Sequence, residues 1–229
     1  MCYSRAMIWK KFIFETLEST NKTALEYPPF TVIVAKSQTA GKGRYGHSWS
    51  SPPGNLYMSA VLPDLAEKSP FLAFIVALSV AQSLKGLPIK LKWPNDVLLD
   101  GKKLAGILLE KTDKGIVAGI GVNVVSCPTA GLPYQAAHLK SSVSCEDLTE
   151  LILDNLTLNL QELNKNGFKN LRQEYMSYLQ GLHTQICVNL PDKKLVGIFK
   201  DLSASGALIL QLPDKTLKEI TAGVVFLMD

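Results

Sequence analysis

The sequence predicts an α+β protein, in which a mostly antiparallel sheet is backed by helices and is followed by a small β-barrel. Short apolar runs alternate with turn signals over most of the chain, whereas only three segments have clear helical periodicity. After Thr184 the sequence changes to short strand-like runs separated by regular turn signals, a spacing typical of a small barrel. We therefore predict one domain over residues 1–182 and a second over residues 183–229.

The composition excludes several classes of protein. Of the 229 residues, 47% are hydrophobic and 19% are charged, which predicts a globular protein rather than a disordered one. The longest apolar stretch, residues 71–81, is about half of the roughly 20 residues that a membrane span needs, and no secretion signal opens the chain. We therefore expect a cytoplasmic protein that binds no membrane.

Charge and metal-ligating residues point away from two further functions. The net charge of +4 is too diffuse to predict nucleic-acid binding. The four cysteines and three histidines are scattered without metal-ligand spacing. The sequence therefore predicts no metal site fixed by the protein, no disulfide framework and no nucleic-acid partner.

The N-terminal part predicts one capped helix and two strands around a long loop. The helix begins near Thr20, where hydroxyl and amide side chains can cap it, and ends before Pro28. Residues 31–35 and 55–62 are predicted strands, and residues 38–54 form a polar, glycine-rich loop between them. A structureless insert of this length in a compact domain is usually functional.

The middle of the chain predicts a buried helix and a meander of strands. Residues 70–84 are apolar on nearly every helical face, which favours burial against a sheet. Asp100-Gly101 supplies the positive-φ turn that a tight hairpin prefers. The predicted strands are residues 89–93, 97–99, 104–110 and 116–125.

Two more helices are predicted before the barrel. Residues 126–144 are rich in Ser, Pro, Ala and Gly and are interpreted as a surface crossing. A start signal at Ser144 precedes helical periodicity over residues 148–163. A shorter amphipathic helix covers about residues 168–180 and ends at Gly181.

The sharpest local motif is the glycine loop at residues 41–46, which has the spacing G-x-G-x-x-G. It does not open a helix, because prolines follow at Pro52 and Pro53, so a dinucleotide-binding turn is not predicted. Its backbone N–H groups, together with Lys42 and Arg44, suit a phosphate or a carboxylate. The alternative is an exposed glycine-rich turn with solvated charges.

A second cluster lies in the predicted hairpin at residues 92–106. The turn brings Lys102 and Lys103 back beside Lys92 and Asp96, which predicts a site for an anionic substrate. The alternative is a hairpin with solvated lysines and a turn-capping aspartate.

A third motif places glycines inside the strand at residues 119–123. Such glycines indicate close approach of a ligand or of another backbone. Asn123 could hold a nucleotide group or simply bond the neighbouring strand.

Taken together and in this order, these segments resemble the biotin protein ligase family. Any one motif is weak, but the ordered set is specific. The matching segments are ESTN at 18–21, QTAGKGRYGHSWSSP at 38–52, GNLYMS at 54–59, KWPND at 92–96, KLAGIL at 103–108 and GIGVN at 119–123.

The resemblance implies the fold and the reaction of that family. The fold would be a catalytic domain like that of class II aminoacyl-tRNA synthetases, with an SH3-like C-terminal barrel. Biotin and Mg-ATP would give biotinyl-5′-AMP, and a lysine of the biotin carboxyl carrier protein of acetyl-CoA carboxylase would then displace AMP. A homodimer is one assembly that the resemblance implies.

The resemblance also implies roles for individual residues. Arg44, Lys103 and Asp96 would be catalytic, although Asp96 could equally cap a turn and Trp49 could simply pack in the core. Lys42 and His47 depart from the arginines that are common in the family. The implied biotin-binding positions are Ser19, Thr20, Asn21, Gln38, Lys42, Gly43, Arg44, Lys103 and Gly106, and the implied nucleotide-binding positions are Trp49, Lys92, Asn95 and Asn123.

Two rival functions and one expected absence accompany this hypothesis. Lipoate ligation is the nearest enzymatic rival, and a non-catalytic biotin or nucleotide sensor is the rival from another class. About seventeen residues precede the ESTN segment, too few for a winged helix-turn-helix domain, so we expect a ligase without operator binding.

Overall fold

The computed structural model describes residues 8–129, 131, 134–140 and 143–228. Cys2 and part of the predicted surface crossing at residues 126–144 lie outside the described residues. Within them, two sheets and four α-helices confirm the predicted α+β class. No described helix is long and apolar enough to span a membrane.

The larger sheet has seven strands in the order β1-β2-β3-β7-β6-β5-β4. Every neighbouring pair is antiparallel except β1 and β2, which are parallel. The strands are β1 (Lys10–Leu17), β2 (Thr31–Gln38), β3 (Leu56–Leu62), β4 (Ile89–Lys92), β5 (Asp96–Leu99), β6 (Lys102–Thr112) and β7 (Gly115–Val122).

Strand β1 was not predicted from the sequence. It lies at the edge of the sheet and has no fully buried residue. Because neither face of the strand is fully buried, its sequence shows only a weak alternation of apolar and polar residues. Ile13, for example, is 66% exposed. The strand forms because β2 offers it a hydrogen-bonding edge, which is a tertiary cause.

The helices cover the two faces of this sheet unequally. The large apolar core lies between one face and the helices α2 and α3, whereas α1 packs on the opposite face through Ala24. The short α1 therefore leaves most of that second face open for a site. The helices are α1 (Thr20–Ala24), α2 (Leu72–Ser83), α3 (Cys145–Asn166) and α4 (Lys169–Tyr178).

Local sequence signals set several of these boundaries as predicted. The side chain of Ser19 caps α1, and the Ser144 hydroxyl accepts a 3.0 Å hydrogen bond from the N–H of Asp147 at the start of α3. The hairpin between β5 and β6 turns at Asp100 and Gly101, whose φ values are 50° and 75°. These signals act within a few residues, so the sequence alone reveals them.

The smaller sheet has five antiparallel strands in the order β11-β10-β9-β8-β12. Among the described residues its end strands, β11 and β12, do not pair with each other, so the expected β-barrel is an open sheet and not a closed barrel. Each end strand has only four residues and one paired neighbour. The strands are β8 (Gln185–Asn189), β9 (Lys194–Leu202), β10 (Leu208–Gln211), β11 (Leu217–Ile220) and β12 (Val224–Leu227).

The two sheets contribute to one continuous apolar core. The indole N–H of Trp93, just after β4, donates a 3.1 Å hydrogen bond to the carbonyl of Gly206, in the turn between β9 and β10. A Cβ at Gly206 would lie 2.6 Å from the ring of Phe74, so this turn packs directly on α2. The smaller sheet therefore packs, through its β9–β10 turn, against α2 and the segment that follows β4.

Candidate functional site

A cavity of about 420 Å³ opens on the face of the larger sheet that α1 covers only in part. Its wall is built from α1, the end of β2, the glycine loop, and the β5–β6 hairpin, with the central strand β7 as floor. Residues 223–226, from the smaller sheet, close one side. This volume lies within the range of small-molecule sites.

One side of the cavity, which we call the neutral wall, consists of Ser19, Thr20, Asn21 and Gln38. The first three are 3–5% exposed. The Oε1 atom of Gln38 accepts hydrogen bonds from the backbone N–H of Thr20 at 2.7 Å and from its hydroxyl at 3.1 Å. The neutral wall therefore offers fixed, uncharged donors and acceptors, which suit a neutral polar ligand group.

The opposite side, which we call the charged wall, consists of Arg44, Lys92, Asp96 and Lys103. Lys103 Nζ lies 2.8 Å from Asp96 Oδ1, and the two side chains are 17% and 18% exposed. Arg44 Nη1 donates a 2.6 Å hydrogen bond to Oδ1 of Asn95. Three cations face one carboxylate here, so the charged wall carries a local positive surplus that suits an anion.

The crowding of positive charge and the burial of the site change the pKa of Lys92. Burial lowers the pKa of Lys92 below its ordinary value, the nearby Lys103 lowers it further, and Asp96 partly opposes both effects. Its Nζ lies 5.3 Å from the ring centre of Phe226, in β12 of the smaller sheet. An arriving anion would relieve the unfavourable environment of this ammonium group.

Trp49 lies over two glycines on the floor of the cavity. Gly106 and Gly121 are paired residues of β6 and β7. A Cβ would lie 3.0 Å from the indole ring at Gly106 and 2.6 Å from it at Gly121. The glycines thus leave room for a ring lying flat on the sheet. Trp49 Nε1 is buried and has no hydrogen-bond partner among the described residues, so the indole N–H is available to a ligand.

The turn that carries Asn95 and Asp96 is supported from behind. The hydroxyl of the fully buried Tyr175 in α4 donates a 3.2 Å hydrogen bond to the carbonyl of Pro94. Burial, with a contribution from the charge of Asp96, raises the pKa of Tyr175, so the phenol stays a neutral donor. Asn95 in turn donates from Nδ2 to the carbonyl of Ile107 at 2.8 Å.

The structure brings all but one of the predicted site residues to this cavity. Asn123 does not line it: its amide donates to the carbonyl of Ala137 at 3.0 Å, and its backbone N–H bonds Leu104. The predicted residues that line the cavity are Ser19, Thr20, Asn21, Gln38, Lys42, Gly43, Arg44, Trp49, Lys92, Asn95, Asp96, Lys103 and Gly106.

Five aromatic residues that line the cavity were not among the predicted site residues: Tyr45, Tyr57, Trp93, Tyr134 and Phe226. Tyr57 donates its hydroxyl to the carbonyl of Pro52 at 2.7 Å, and burial raises its pKa to about 12. Tyr134 has its ring centre 5.0 Å from Lys103 Nζ. The GNLYMS match could have pointed to Tyr57, whereas no local signal points to Tyr134 or to Phe226.

The described residues contain no group of three or more His, Cys, Asp or Glu side chains that could hold a metal ion. Among the described residues that line the cavity, Asp96 is the one with a carboxylate, and this carboxylate already pairs with Lys103.

Comparison with known proteins agrees with this architecture. A model described as the Biotin/lipoate A/B protein ligase family matches residues 13–126, and one described as the Biotin protein ligase C terminal domain matches residues 185–228. A biotin--[acetyl-CoA-carboxylase] ligase of Paracoccus denitrificans is 33% identical over 221 residues, which cover 86% of this chain and 92% of that protein. This chain belongs to the biotin protein ligase family.

Other members of the family match over similar lengths. A biotin--[acetyl-CoA-carboxylase] ligase of Mycobacterium tuberculosis is 30% identical and is matched over 86% of this chain and 79% of its own length. The solved structure of a biotin protein ligase from Aquifex aeolicus in complex with biotin and ATP has a TM-score of 0.84 and 27% identity. The match covers 96% of this chain and 98% of that one. Both sheets therefore belong to the architecture of the biotin protein ligase family.

Proposed function

We propose that this protein is a biotin protein ligase that uses ATP to attach biotin to the biotin carboxyl carrier protein of acetyl-CoA carboxylase. Its family membership and its relatives of that description support the reaction. The observation in this chain that carries the proposal is a cavity in which a neutral polar wall faces a wall of three cations. Biotin has a neutral urea-like ring at one end and a carboxylate at the other, and therefore matches both walls.

In the first step, a carboxylate oxygen of biotin attacks the α-phosphorus of ATP, and the bond to the β-phosphate breaks. This forms biotinyl-5′-AMP and releases pyrophosphate. Two anions must approach each other, so Arg44 and Lys103 are the proposed groups that neutralise them, with Lys42 assisting. Magnesium would enter with the phosphates of ATP, in line with the lone carboxylate among the described cavity residues.

In the second step, a neutral lysine amine of the carrier attacks the acyl carbon, and AMP leaves. Asp96 is the proposed group that orients this amine or takes its proton. In the free protein Asp96 is paired with Lys103, so this role requires that Lys103 turn towards the adenylate. The mixed anhydride is sensitive to water, and the glycine loop that carries Arg44 is proposed to shield it.

The nucleotide side of the cavity is assigned on the same reasoning. Trp49 would stack on the adenine and use its free indole N–H, while Lys92 and Asn95 would hold the phosphate side. Asn123 stays a predicted nucleotide residue, although its side chain now donates to the carbonyl of Ala137 and its own carbonyl accepts from the N–H of Leu139.

Further parts of the assignment are proposals about the whole protein. We propose a cytoplasmic enzyme that binds no nucleic acid and that can form a homodimer. We also propose a catalytic domain that ends near Leu182. Gel filtration coupled to light scattering tests the dimer. An electrophoretic mobility shift assay with DNA of arbitrary sequence tests nucleic-acid binding.

The decisive experiment measures pyrophosphate release with biotin and, separately, with lipoate. Release with biotin is expected, because its N–H-bearing ring matches the neutral wall. Release with lipoate alone would overturn the proposal. Transfer of labelled biotin to a carrier domain then distinguishes an enzyme from a sensor, since a sensor would bind biotin and leave the carrier unlabelled.

A further inference from the structure

Two buried or half-buried polar residues lie next to the neutral wall without lining the cavity. Ser59, in the middle of β3, is 0% exposed, and Glu110, on β6, is partly buried. Both stand on the sheet face beneath α1, in strands that flank β7. Ser59 ends the GNLYMS segment, for which no residue role was predicted, and Glu110 lies outside the matched segments.

The side chain of Glu110 makes one hydrogen bond within the described part of the chain, and this bond holds the amide of Asn21. Its Oε2 atom accepts from Asn21 Nδ2 at 2.6 Å. No Lys or Arg of the described residues pairs with this carboxylate. A half-buried carboxylate without a cation contributes little to stability, so the consequence of this contact is the orientation of its partner.

This single contact fixes which way the Asn21 amide points. A carboxylate only accepts, so Nδ2 must face Glu110 and Oδ1 must face the hydroxyl of Ser59, 2.6 Å away. Gly119 lies under this amide, since any Cβ there would overlap Asn21 Oδ1. The amide therefore has both its orientation and its place defined from outside the cavity.

The orientation continues to Thr20. Ser59 has a single hydroxyl hydrogen, and Asn21 Oδ1, which can only accept, takes it. The 2.8 Å contact between Ser59 and Thr20 then needs the hydrogen of Thr20, whose other contact is the acceptor Gln38 Oε1. Thr20 thus gives its hydrogen to Ser59 or to Gln38 and receives none from Ser59, so its oxygen keeps both lone pairs for donors in the cavity. If the Asn21 amide were flipped, Ser59 would donate to Thr20 and occupy one of these lone pairs.

We propose that Glu110 is a positioning residue that, through Asn21 and Ser59, keeps the lone pairs of the Thr20 oxygen free and so favours a ligand ring that carries N–H donors. The urea-like ring of biotin has such donors, whereas the dithiolane ring of lipoate has none. This inference rests on the proposed function and deepens it, because it names what makes the neutral wall selective.

The test compares Glu110→Leu with Glu110→Gln in the full-length protein. Leucine removes the acceptor, so the Asn21 amide can flip, and KM for biotin is expected to rise about tenfold or more while KM for ATP stays within about twofold. Glutamine can still accept through its Oε1 atom, and KM for biotin is expected to return to within about threefold of wild type.

A matched control removes another carboxylate that accepts from asparagine amides. Glu162 accepts from Asn166 and Asn170 at 2.7 and 2.8 Å, at the surface of α3 and away from the cavity. Glu162→Leu is expected to leave both KM values unchanged. If Glu110→Leu lowers only the amount of folded enzyme, kcat per total protein falls and KM for biotin does not move, which would overturn the proposal.

A double variant tests whether Glu110 acts through Asn21. If it does, Glu110→Leu should add less than about twofold to KM for biotin in an Asn21→Ala background. Fully additive effects would refute the route through Asn21. An active wild-type enzyme with an unaffected Glu110→Leu variant overturns this inference alone, whereas a wild-type protein that releases no pyrophosphate with biotin overturns the function and this inference together.

Discussion

The two walls of the cavity differ in how their polar groups are occupied before any ligand arrives. In the neutral wall, Thr20 and Gln38 bond each other through neutral groups that rest on α1 and β2. In the charged wall, Lys103 and Arg44 bond Asp96 and Asn95, partners that an anionic ligand must replace. The neutral wall is therefore preorganised and should govern affinity, whereas the charged wall must exchange partners and should govern rate.

The largest expected effect breaks the charged wall. Lys103→Ala should slow adenylate formation about 100- to 1,000-fold, because it removes a cation aimed at charge that develops in the transition state. Stability should change little, because Lys92 stays close enough to Asp96 to interact with its charge after Lys103 is removed. Pyrophosphate release and a thermal melt measure the two quantities.

The control for this variant lies on the same strand. Lys111→Ala removes a lysine whose side chain is 74% exposed and which pairs with Asp64 outside the cavity. Its activity should equal that of the wild type. Near-wild-type adenylate formation by Lys103→Ala would contradict the division between the walls.

The next effect concerns Trp49, which lies between the two walls. In Gly121→Ala the new Cβ would meet the indole at 2.6 Å, so the ring must move, and KM for ATP should rise about tenfold. Gly106→Ala, where the distance is 3.0 Å, should give a smaller rise. Steady-state kinetics with varied ATP measure both variants, and equal effects of the two would show that the indole does not sit on these glycines during the reaction.

A smaller effect tests retention of the intermediate. Arg44→Gly removes the 2.6 Å bond to Asn95, which holds the glycine loop against the start of β5, and the 3.0 Å bond to the Tyr45 hydroxyl within the loop. Release of biotinyl-5′-AMP should become about tenfold faster, the loss expected for a charge-assisted hydrogen bond. Chromatography of the free adenylate during turnover measures this, and unchanged retention would contradict the shielding role of the loop.

The smallest effect is a change in pH dependence. Burial lowers the pKa of Lys92, so this cation loses its proton at a lower pH than an ordinary lysine, and the activity should decline early on the alkaline side. Lys92→Arg keeps its charge at that pH and should move the alkaline limb of kcat/KM upward. Lys90→Arg changes an exposed lysine of the same strand and should leave the profile unchanged. An identical limb in Lys92→Arg and wild type would show that this charge is not needed.

The sequence revealed those parts of the site that rest on local chemistry. The cap at Ser19, the turn at Asp100-Gly101 and the glycine loop are read from neighbouring residues, and the ordered motifs point to the family. The fold class is confirmed, although the edge strand β1 was missed because its apolar alternation is weak.

The parts that the sequence did not reveal depend on distant pairs. Glu110 and Asn21 are 89 positions apart, and Trp93 and Gly206 are 113 positions apart. Asn123 matched a motif and yet bonds the carbonyl of Ala137 behind the floor. Which side chains meet across such separations follows from strand register and from packing, and no single sequence window contains that information.

The docking of Gly206 on Trp93 and Phe74 bears on how far this chain is modular. If the chain were cut after α4, the indole N–H of Trp93 would lose its acceptor and the ring of Phe74 would lose its cover. Both residues belong to the large apolar core between the larger sheet and its helices. A split-protein or truncation design that places its junction there would thus begin with an exposed apolar surface and an orphaned donor, and the excised half would be prone to aggregate.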